Sequence, residues 1–194
     1  MDATFNPMTL PNLITLFRLF LIPVFVLFAV YYGRSVATGS PHEWQRLAAI
    51  IVFIVAAVSD CLDGYLARKW HQQSKLGTVL DPIADKGLLL TAIITLTLSN
   101  WTYMFPLWFP VVVIARDVFI VVGYFVLRHF NSHLEVRPSL LGKSATAAQM
   151  VALAWVMLQL PFHLYPIWIA GILTVISGLG YIIGGMRQLH PHDS

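Results

Sequence analysis

The chain has 194 residues, of which 58% are hydrophobic and 11% are charged, and its formal net charge is +3. Soluble globular domains carry charge on roughly a quarter of their residues, so this composition excludes the soluble class and predicts an integral membrane protein. The single cysteine, Cys61, excludes an internal disulfide. The first ten residues contain no Lys or Arg, unlike a secretory signal peptide, so we expect the first apolar segment to be retained.

Six apolar segments follow one another along the chain, separated by polar or proline-bearing breaks. They lie at about residues 13–32, 47–66, 82–99, 105–127, 145–160 and 165–185, and the fifth is the shortest. An α-helix rises about 1.5 Å per residue, so roughly 20 apolar residues cross a hydrocarbon core of about 30 Å. The pattern predicts an all-α integral membrane protein with six transmembrane helices in a single domain over residues 1–194.

Basic residues are distributed unevenly between the breaks. The breaks after the second and fourth segments and the C-terminal tail share Arg68, Lys69, Lys75, Arg128, Arg137, Lys143 and Arg187. The breaks on the opposite side hold Arg34 and Arg46. Because Lys and Arg are enriched in cytoplasmic loops, we expect a cell (inner) membrane protein whose termini and polar cavity face the cytoplasm.

Four of the nine acidic residues form a cluster between the second and third segments: Asp60, Asp63, Asp81 and Asp85. Ionised carboxylates beside hydrocarbon cost several kcal/mol unless cations or hydrogen bonds compensate them. Residues three or four apart share one helix face, so each pair projects together, and two antiparallel helices would unite the pairs. Carboxylate oxygens suit hard cations, so the cluster predicts Mg²⁺ or Mn²⁺, as two ions, bridging to substrate phosphates.

The residues around the four aspartates add detail to this site. Gly64 and Gly77 would leave room for a nucleotide, and Arg68 would offer a planar fork to phosphate oxygens. Pro82 directly follows Asp81. Asp81 is therefore expected either as the N-cap of the third helix or at a kink in a helix that begins near residue 76.

The spacing of this region, D-x-x-D-G-x-x-A-R-x8-G-x3-D-x3-D, resembles the signature of the CDP-alcohol phosphatidyltransferase family. The matching positions are Asp60, Asp63, Gly64, Ala67, Arg68, Gly77, Asp81 and Asp85. The resemblance implies a six-helix membrane enzyme that transfers a phosphatidyl group from CDP-diacylglycerol to an alcohol and releases CMP. It implies that the four aspartates hold metal and that Asp85 is also the general base. The CDP moiety would contact Asp60, Asp63, Gly64, Ala67, Arg68 and Gly77.

The acceptor alcohol is predicted from basic residues outside this signature. A phosphorylated acceptor needs cations, and Arg116, Arg137 and Lys143 could supply them near the cytoplasmic mouth. The stretch 10–22, with Arg116 and Lys143, resembles the phosphatidylglycerophosphate synthases of the family, which use glycerol 3-phosphate. The Arg116–Asp117 pair and the loop 136–143 also resemble the family's cardiolipin synthases, whose acceptor is phosphatidylglycerol, and this alternative stays open.

The expected partners are CDP-diacylglycerol, a small phosphorylated alcohol and membrane lipid, and no nucleic acid. The family resemblance also implies a homodimer, for which Gly180 and Gly184 form a small-x-x-x-small pair that could pack another helix or a second subunit. A cation carrier that uses intramembrane carboxylates is an alternative from a different functional class. Such a carrier would have no use for Gly64, Arg68 and Gly77.

Two arginines lie inside the apolar segments. Arg18 could reach the lipid diphosphate or snorkel to the headgroups. Arg116 lies deep in the fourth segment, where a bare cation is expensive, so we expect it to line the active-site cavity or to pair with an acid on another helix. Its neighbour Asp117 is expected to point elsewhere. Trp101, near a segment end, is expected to be a membrane-interface anchor.

Overall fold

The structure is a computed structural model that describes the backbone over residues 10–70, 75–130 and 140–189, and the side chains over 13–59, 86–123 and 140–184. Within these residues there are six helices and no strand. The helices are α1 (Leu10–Ala37), α2 (Glu43–Trp70), α3 (Lys75–Leu98), α4 (Trp108–Phe130), α5 (Leu140–Met157) and α6 (Leu164–Leu189). Each predicted apolar segment corresponds to one helix, in the predicted order, so the all-α expectation is confirmed.

The connection between α2 and α3 differs most from the prediction. The sequence predicts a third segment from residue 82, whereas α2 continues to Trp70 and α3 begins at Lys75. Arg68 and Lys69 are good helix formers, so the helix continues after the apolar run ends. Asp81 is therefore not an N-cap, and the alternative of a helix that begins near residue 76 is the one that holds.

Three of the described stretches are long and apolar enough to cross a membrane: Leu13–Ala37, Leu140–Met157 and Leu164–Gly184. Lys86–Leu98 in α3 is apolar but shorter. Large apolar side chains face outward along these helices, and Phe20, for example, is 67% exposed. A bilayer accepts such a surface, whereas water does not, so the chain is a membrane protein.

The chain forms two units, Met1–Met104 and Phe105–Ser194. In the first unit α1 is the central helix, because it packs against both α2 and α3. The buried positions of α1 recur every three or four residues, as one face of a helix requires. They include Thr15, Arg18, Leu21, Phe25, Ala29 and Tyr32.

The end of α1 is held by a glycine cap and by a buried tryptophan. Gly39 has a φ of 76°, and its N–H bonds the Val36 carbonyl at 3.0 Å, as in a Schellman cap. Trp101 Nε1 donates to the carbonyl of Ala29 at 2.9 Å, and its ring lies edge-on to Tyr32 at 4.7 Å. Trp101 is only 2% exposed, so the interface-anchor expectation is wrong for it. Its indole N–H is satisfied by the backbone of α1 instead of by headgroups.

In the second unit α6 packs against both α4 and α5. Gln149 Nε2 on α5 donates to Thr174 Oγ1 on α6 at 2.8 Å, with both side chains buried. Gly171 on α6 lies beneath Trp108, since a Cβ there would be 2.6 Å from the Trp108 Cζ3 atom. The polar pair joins α5 to α6, and the close ring-to-backbone contact joins α4 to α6.

Replacing Trp101 by Phe should lower the melting temperature of the purified protein. The change removes the hydrogen bond to the Ala29 carbonyl, which contributes about 1 kcal/mol, while a ring remains beside Tyr32. Trp44→Phe is the matched control, because Trp44 is 61% exposed. Equal melting temperatures for the two variants would contradict the anchoring role of Trp101.

Candidate active site

The four aspartates lie at neighbouring ends of two consecutive helices. Asp60 and Asp63 belong to the C-terminal part of α2, and Asp81 and Asp85 to the N-terminal part of α3. Their helical backbone is described, and their side chains are outside the described residues. Within each pair the spacing puts both residues on one helix face. The height of each pair, meaning its position along the helix axes, follows from the contacts that α1 makes with α2 and α3.

The helices α1 and α2 are antiparallel. Near their connection the hydroxyl of Tyr32 donates to Glu43 Oε1 at 3.4 Å. Further along, the rings of Phe25 and Phe53 are 5.8 Å apart. Contacts therefore move toward the start of α1 as they move toward the end of α2.

The helices α1 and α3 are parallel. A Cβ on Gly87 would lie 3.8 Å from Ile22 Cδ1. A Cβ on Gly33, later in α1, would lie 3.0 Å from Ser99 Cβ, just beyond the end of α3. Because α2 is antiparallel to α1 and α3 is parallel to it, α2 and α3 are antiparallel to each other.

Counting residues from the aromatic contact gives the height of the α2 aspartates. On α2, Asp60 lies seven residues after Phe53. On α1, Arg18 lies seven residues before Phe25. Seven residues are about two helical turns, or roughly 10 Å, so the two positions are level and on corresponding sides of their helices. By the same count Asp63 is level with Thr15.

The α3 aspartates reach the same height from the other side. Asp81 and Asp85 lie six and two residues before Gly87, on a helix parallel to α1. They therefore lie alongside residues 16–20 of α1, at the height of the α2 pair. Backbone packing thus brings all four aspartate positions alongside about one and a half turns of α1.

Thr15 and Arg18 occupy this height on α1, and both side chains are 0% exposed. The expectation that Arg18 snorkels to the headgroups is therefore wrong. Arg18 lies on the buried face of α1, so its whole side chain extends between helices inside the protein. A fully buried arginine at the height of four aspartate positions is the main feature that sequence reasoning left undecided.

An apolar hollow of about 600 Å³ opens beside the same height. Its walls are Leu13, Ile14, Leu16 and Phe17 of α1 together with Ser59, the residue before Asp60. A polar cluster with an adjoining apolar groove is a suitable arrangement for an amphiphile, since the groove accommodates hydrocarbon and the cluster accommodates a charged group.

The residues predicted to contact CDP lie between the aspartates and the α2–α3 connection. Gly64, Ala67 and Arg68 belong to α2, and Gly77 belongs to α3. In the antiparallel register Gly77 is level with about Ala67. The backbone therefore brings these four positions to one side of the aspartate cluster, and their side chains are outside the described residues.

The donor chemistry of the cluster fits hard divalent cations. Among the described side chains no group of three or more His, Cys, Asp or Glu residues could hold a metal ion. The aspartate cluster lies outside that set and supplies carboxylate oxygens, which Mg²⁺ and Mn²⁺ prefer. The residues present therefore fit the predicted metals.

The buried arginine of the second unit has its own set of partners. Arg116, whose side chain is 8% exposed, forms a 2.7 Å ion pair from Nη1 to Asp117 Oδ1. Its Nη2 donates to Ser177 Oγ at 3.2 Å and to the Gly142 carbonyl at 3.4 Å. The guanidinium carbon lies 6.0 Å from the centre of the Tyr181 ring. Arg116 thereby joins α4 to both α5 and α6.

Two expectations about this arginine need correction. Its acidic partner is on its own helix, and Asp117 turns toward it instead of pointing elsewhere. Adjacent side chains on a helix usually diverge, and here the long guanidinium reaches back to the carboxylate. Sequence reasoning also missed Ser177 and Gly178, where a Cβ would be 3.5 Å from Arg116 Cγ. Their position one turn after Thr174 on α6 was the available signal.

The other residues predicted to bind the acceptor are less constrained. Lys143 is exposed in the first turn of α5, and Arg137 lies outside the described residues. The two glycines of the small-x-x-x-small pair on α6 differ in their contacts. Gly180 lies near Leu141, with 3.8 Å between its added Cβ and Leu141 Cδ1, whereas an added Cβ at Gly184 meets nothing within 4 Å among the described residues.

Comparison with known proteins agrees with the signature. Residues 8–177 match the family described as CDP-alcohol phosphatidyltransferase. The chain is 37% identical over 187 residues to proteins named CDP-diacylglycerol--glycerol-3-phosphate 3-phosphatidyltransferase from Shigella flexneri, from Shigella boydii serotype 4 and from Escherichia coli K12. Each alignment covers 93% of this chain and 96% of the relative. The chain is therefore a member of the CDP-alcohol phosphatidyltransferase family.

Proposed function

We propose that this chain transfers a phosphatidyl group from CDP-diacylglycerol to glycerol 3-phosphate, giving phosphatidylglycerol phosphate and CMP. The observation that carries the proposal is the register of the first unit, which brings four aspartate positions to one height beside α1. Relatives that match almost the whole chain carry the name of this activity. The phosphatidyl transfer follows from membership of the family, whereas the roles of single residues are separate proposals.

Asp60, Asp63, Asp81 and Asp85 would hold the metal, which is Mg²⁺ or Mn²⁺ as two ions in this proposal. When bound, such cations neutralise the diphosphate and stabilise the departing CMP. Antiparallel pairing supports this assignment, because it lets carboxylates from α2 and α3 meet around a shared centre. Gly64, Ala67, Arg68 and Gly77, on the connection side, would contact the nucleotide together with Asp60 and Asp63.

Asp85 would be the general base. It would accept the proton of the acceptor hydroxyl as that oxygen bonds to the phosphorus carrying the diacylglycerol. The bond between this phosphorus and the oxygen bridging it to the CMP phosphate then breaks, and CMP leaves with the bonding electrons. The apolar hollow beside Ser59 supports a diacylglycerol-bearing donor, because an acyl chain could lie against Leu16 and Phe17 while the diphosphate reaches the aspartates.

Arg116, Lys143 and Arg137 would bind the phosphate of the acceptor. Lys143 is exposed and available for this role. Arg116 already bonds Asp117 and Ser177 through its two terminal nitrogens. Its positive charge, in addition to direct contact, would therefore attract the acceptor phosphate. We propose that the chain is a single domain with six membrane-spanning helices and that it forms a homodimer. Its termini and active site would face the cytoplasm at the inner membrane.

The direct test is CMP release by purified protein in detergent with CDP-diacylglycerol and Mg²⁺ or Mn²⁺. Glycerol 3-phosphate, phosphatidylglycerol, inositol phosphate and serine are compared as acceptors. We expect release with glycerol 3-phosphate alone. Release only with phosphatidylglycerol would make the protein a cardiolipin synthase, and no release with any acceptor would favour the cation-carrier alternative.

Asp85→Asn should lower kcat by about 10²- to 10⁴-fold, because the amide cannot accept the acceptor proton. Binding of CDP-diacylglycerol should persist, since only one carboxylate of four is altered. Glu43→Gln is the matched control, as it removes a carboxylate charge from the opposite end of α2. Turnover retained by Asp85→Asn would contradict the assignment of the base.

Substitutions of Lys143 and of Arg116, the two acceptor candidates with described side chains, should differ in their effect on the melting temperature. Lys143→Met should raise the KM for glycerol 3-phosphate about tenfold without changing the melting temperature, since a hydrogen bond to a charged group contributes roughly 1.5–3 kcal/mol. Arg116→Met should raise this KM and also lower the melting temperature, because it removes the bonds to Asp117, Ser177 and Gly142. An equal rise in KM for CDP-diacylglycerol would contradict acceptor binding for either residue.

A further inference from the structure

Arg18 is a cation without access to solvent. Its side chain is 0% exposed on the inner stripe of α1, and it is the largest fully buried side chain among the described residues. Removing a guanidinium from water costs several kcal/mol unless a negative charge and hydrogen bonds compensate it. The sequence must therefore provide an acid at this height of the first unit.

The described side chains of the first unit contain a single acid, Glu43, which is not at this height. Glu43 lies at the opposite end of α2, where its Oε2 pairs with Arg46 Nη2 at 2.7 Å. Its other oxygen accepts from the Tyr32 hydroxyl. Glu43 is thus engaged about four turns of helix away from Arg18.

The four aspartates are the acids at the height of Arg18. Asp60 and Arg18 are each two turns from the same aromatic contact, on corresponding sides of two antiparallel helices. Asp81 and Asp85 reach the same turns of α1 from α3. Among the described side chains of the first unit, the other cation near this height is Lys86, which is exposed and follows Asp85 in sequence.

Charge balance favours this arrangement in the metal-free protein. Four ionised carboxylates brought to one height repel one another, and the repulsion is strong in a medium of low dielectric constant. One buried positive charge offsets part of it. Bound divalent cations would supply more positive charge to the same carboxylates and so reduce the contribution of the arginine.

We propose that Arg18 is the internal counter-charge of the aspartate cluster, a positioning residue that holds the four carboxylates together before metal and substrate bind. This inference rests on the proposed metal site. It assigns to α1 a part in building the site, although the signature residues all belong to α2 and α3.

The test compares melting temperatures in EDTA and in saturating Mg²⁺ for the full chain in detergent. Arg18→Met should lower the melting temperature in EDTA by an amount roughly twice its effect in Mg²⁺ or more, because the metal replaces the missing charge. Arg18→Lys should recover part of the loss. A similar fall in both conditions would show a packing role only and would overturn the proposal.

Two control variants separate charge from packing. Phe25→Ala, at a fully buried position on the same stripe, should lower the melting temperature equally in EDTA and in Mg²⁺. Arg34→Met removes an exposed arginine from the far end of α1 and should leave both values unchanged. A metal-dependent difference in either control would remove the basis for assigning that difference to Arg18.

A double variant keeps the test decisive if Arg18→Met does not fold. Removing one carboxylate relieves the repulsion, so Arg18→Met with Asp60→Asn should fold in EDTA even where Arg18→Met alone does not, and should melt higher than the single variant where both fold. No recovery would overturn the counter-charge role, as would an effect confined to the KM for CDP-diacylglycerol. If Mg²⁺ and Mn²⁺ fail to raise the melting temperature of the unaltered protein, the proposed metal site fails instead.

Discussion

Charged side chains inside an apolar protein must be compensated, and this requirement determines how the helices of the first unit are arranged. Four carboxylates at one height would be unstable without cations. The packing of α1 against α2 and α3 both creates this problem and addresses part of it, because the same register that unites the aspartates brings buried Arg18 to their level. In the proposed arrangement, buried Arg18 and the bound metal ions both offset the negative charge of this one cluster.

The second unit deals with a buried charge in a different way. The two terminal nitrogens of Arg116 have partners within its own unit: Asp117, Ser177 and the carbonyl of Gly142. Small residues on α6 make room for it, as the approach of its Cγ to Gly178 demonstrates. A paired charge of this kind orients helices firmly, whereas a cluster with excess negative charge retains affinity for cations. This difference is why we assign metal to the first unit.

Features that depend on local pattern could be predicted from the sequence. The six helices follow from apolar runs, and the aspartate cluster follows from acids that are expensive in such surroundings. Features that depend on tertiary contacts could not. Whether Arg18 points outward or inward, whether Trp101 meets headgroups or the Ala29 carbonyl, and which acid Arg116 finds are decided by neighbouring helices. The sequence left the start of α3 open between an N-cap at Asp81 and a helix beginning near residue 76, because polar residues can continue a helix beyond its apolar part.

The most direct measurement is Mn²⁺ binding to the purified protein in detergent, followed by electron paramagnetic resonance in the presence of CDP. We expect saturable binding of two ions per chain in the unaltered protein, with marked loss in both Asp63→Asn on α2 and Asp81→Asn on α3. Loss in both variants would mean that the two helices hold one centre, as their register requires. Unchanged Mn²⁺ binding in both would contradict the central claim that these aspartates form the metal site.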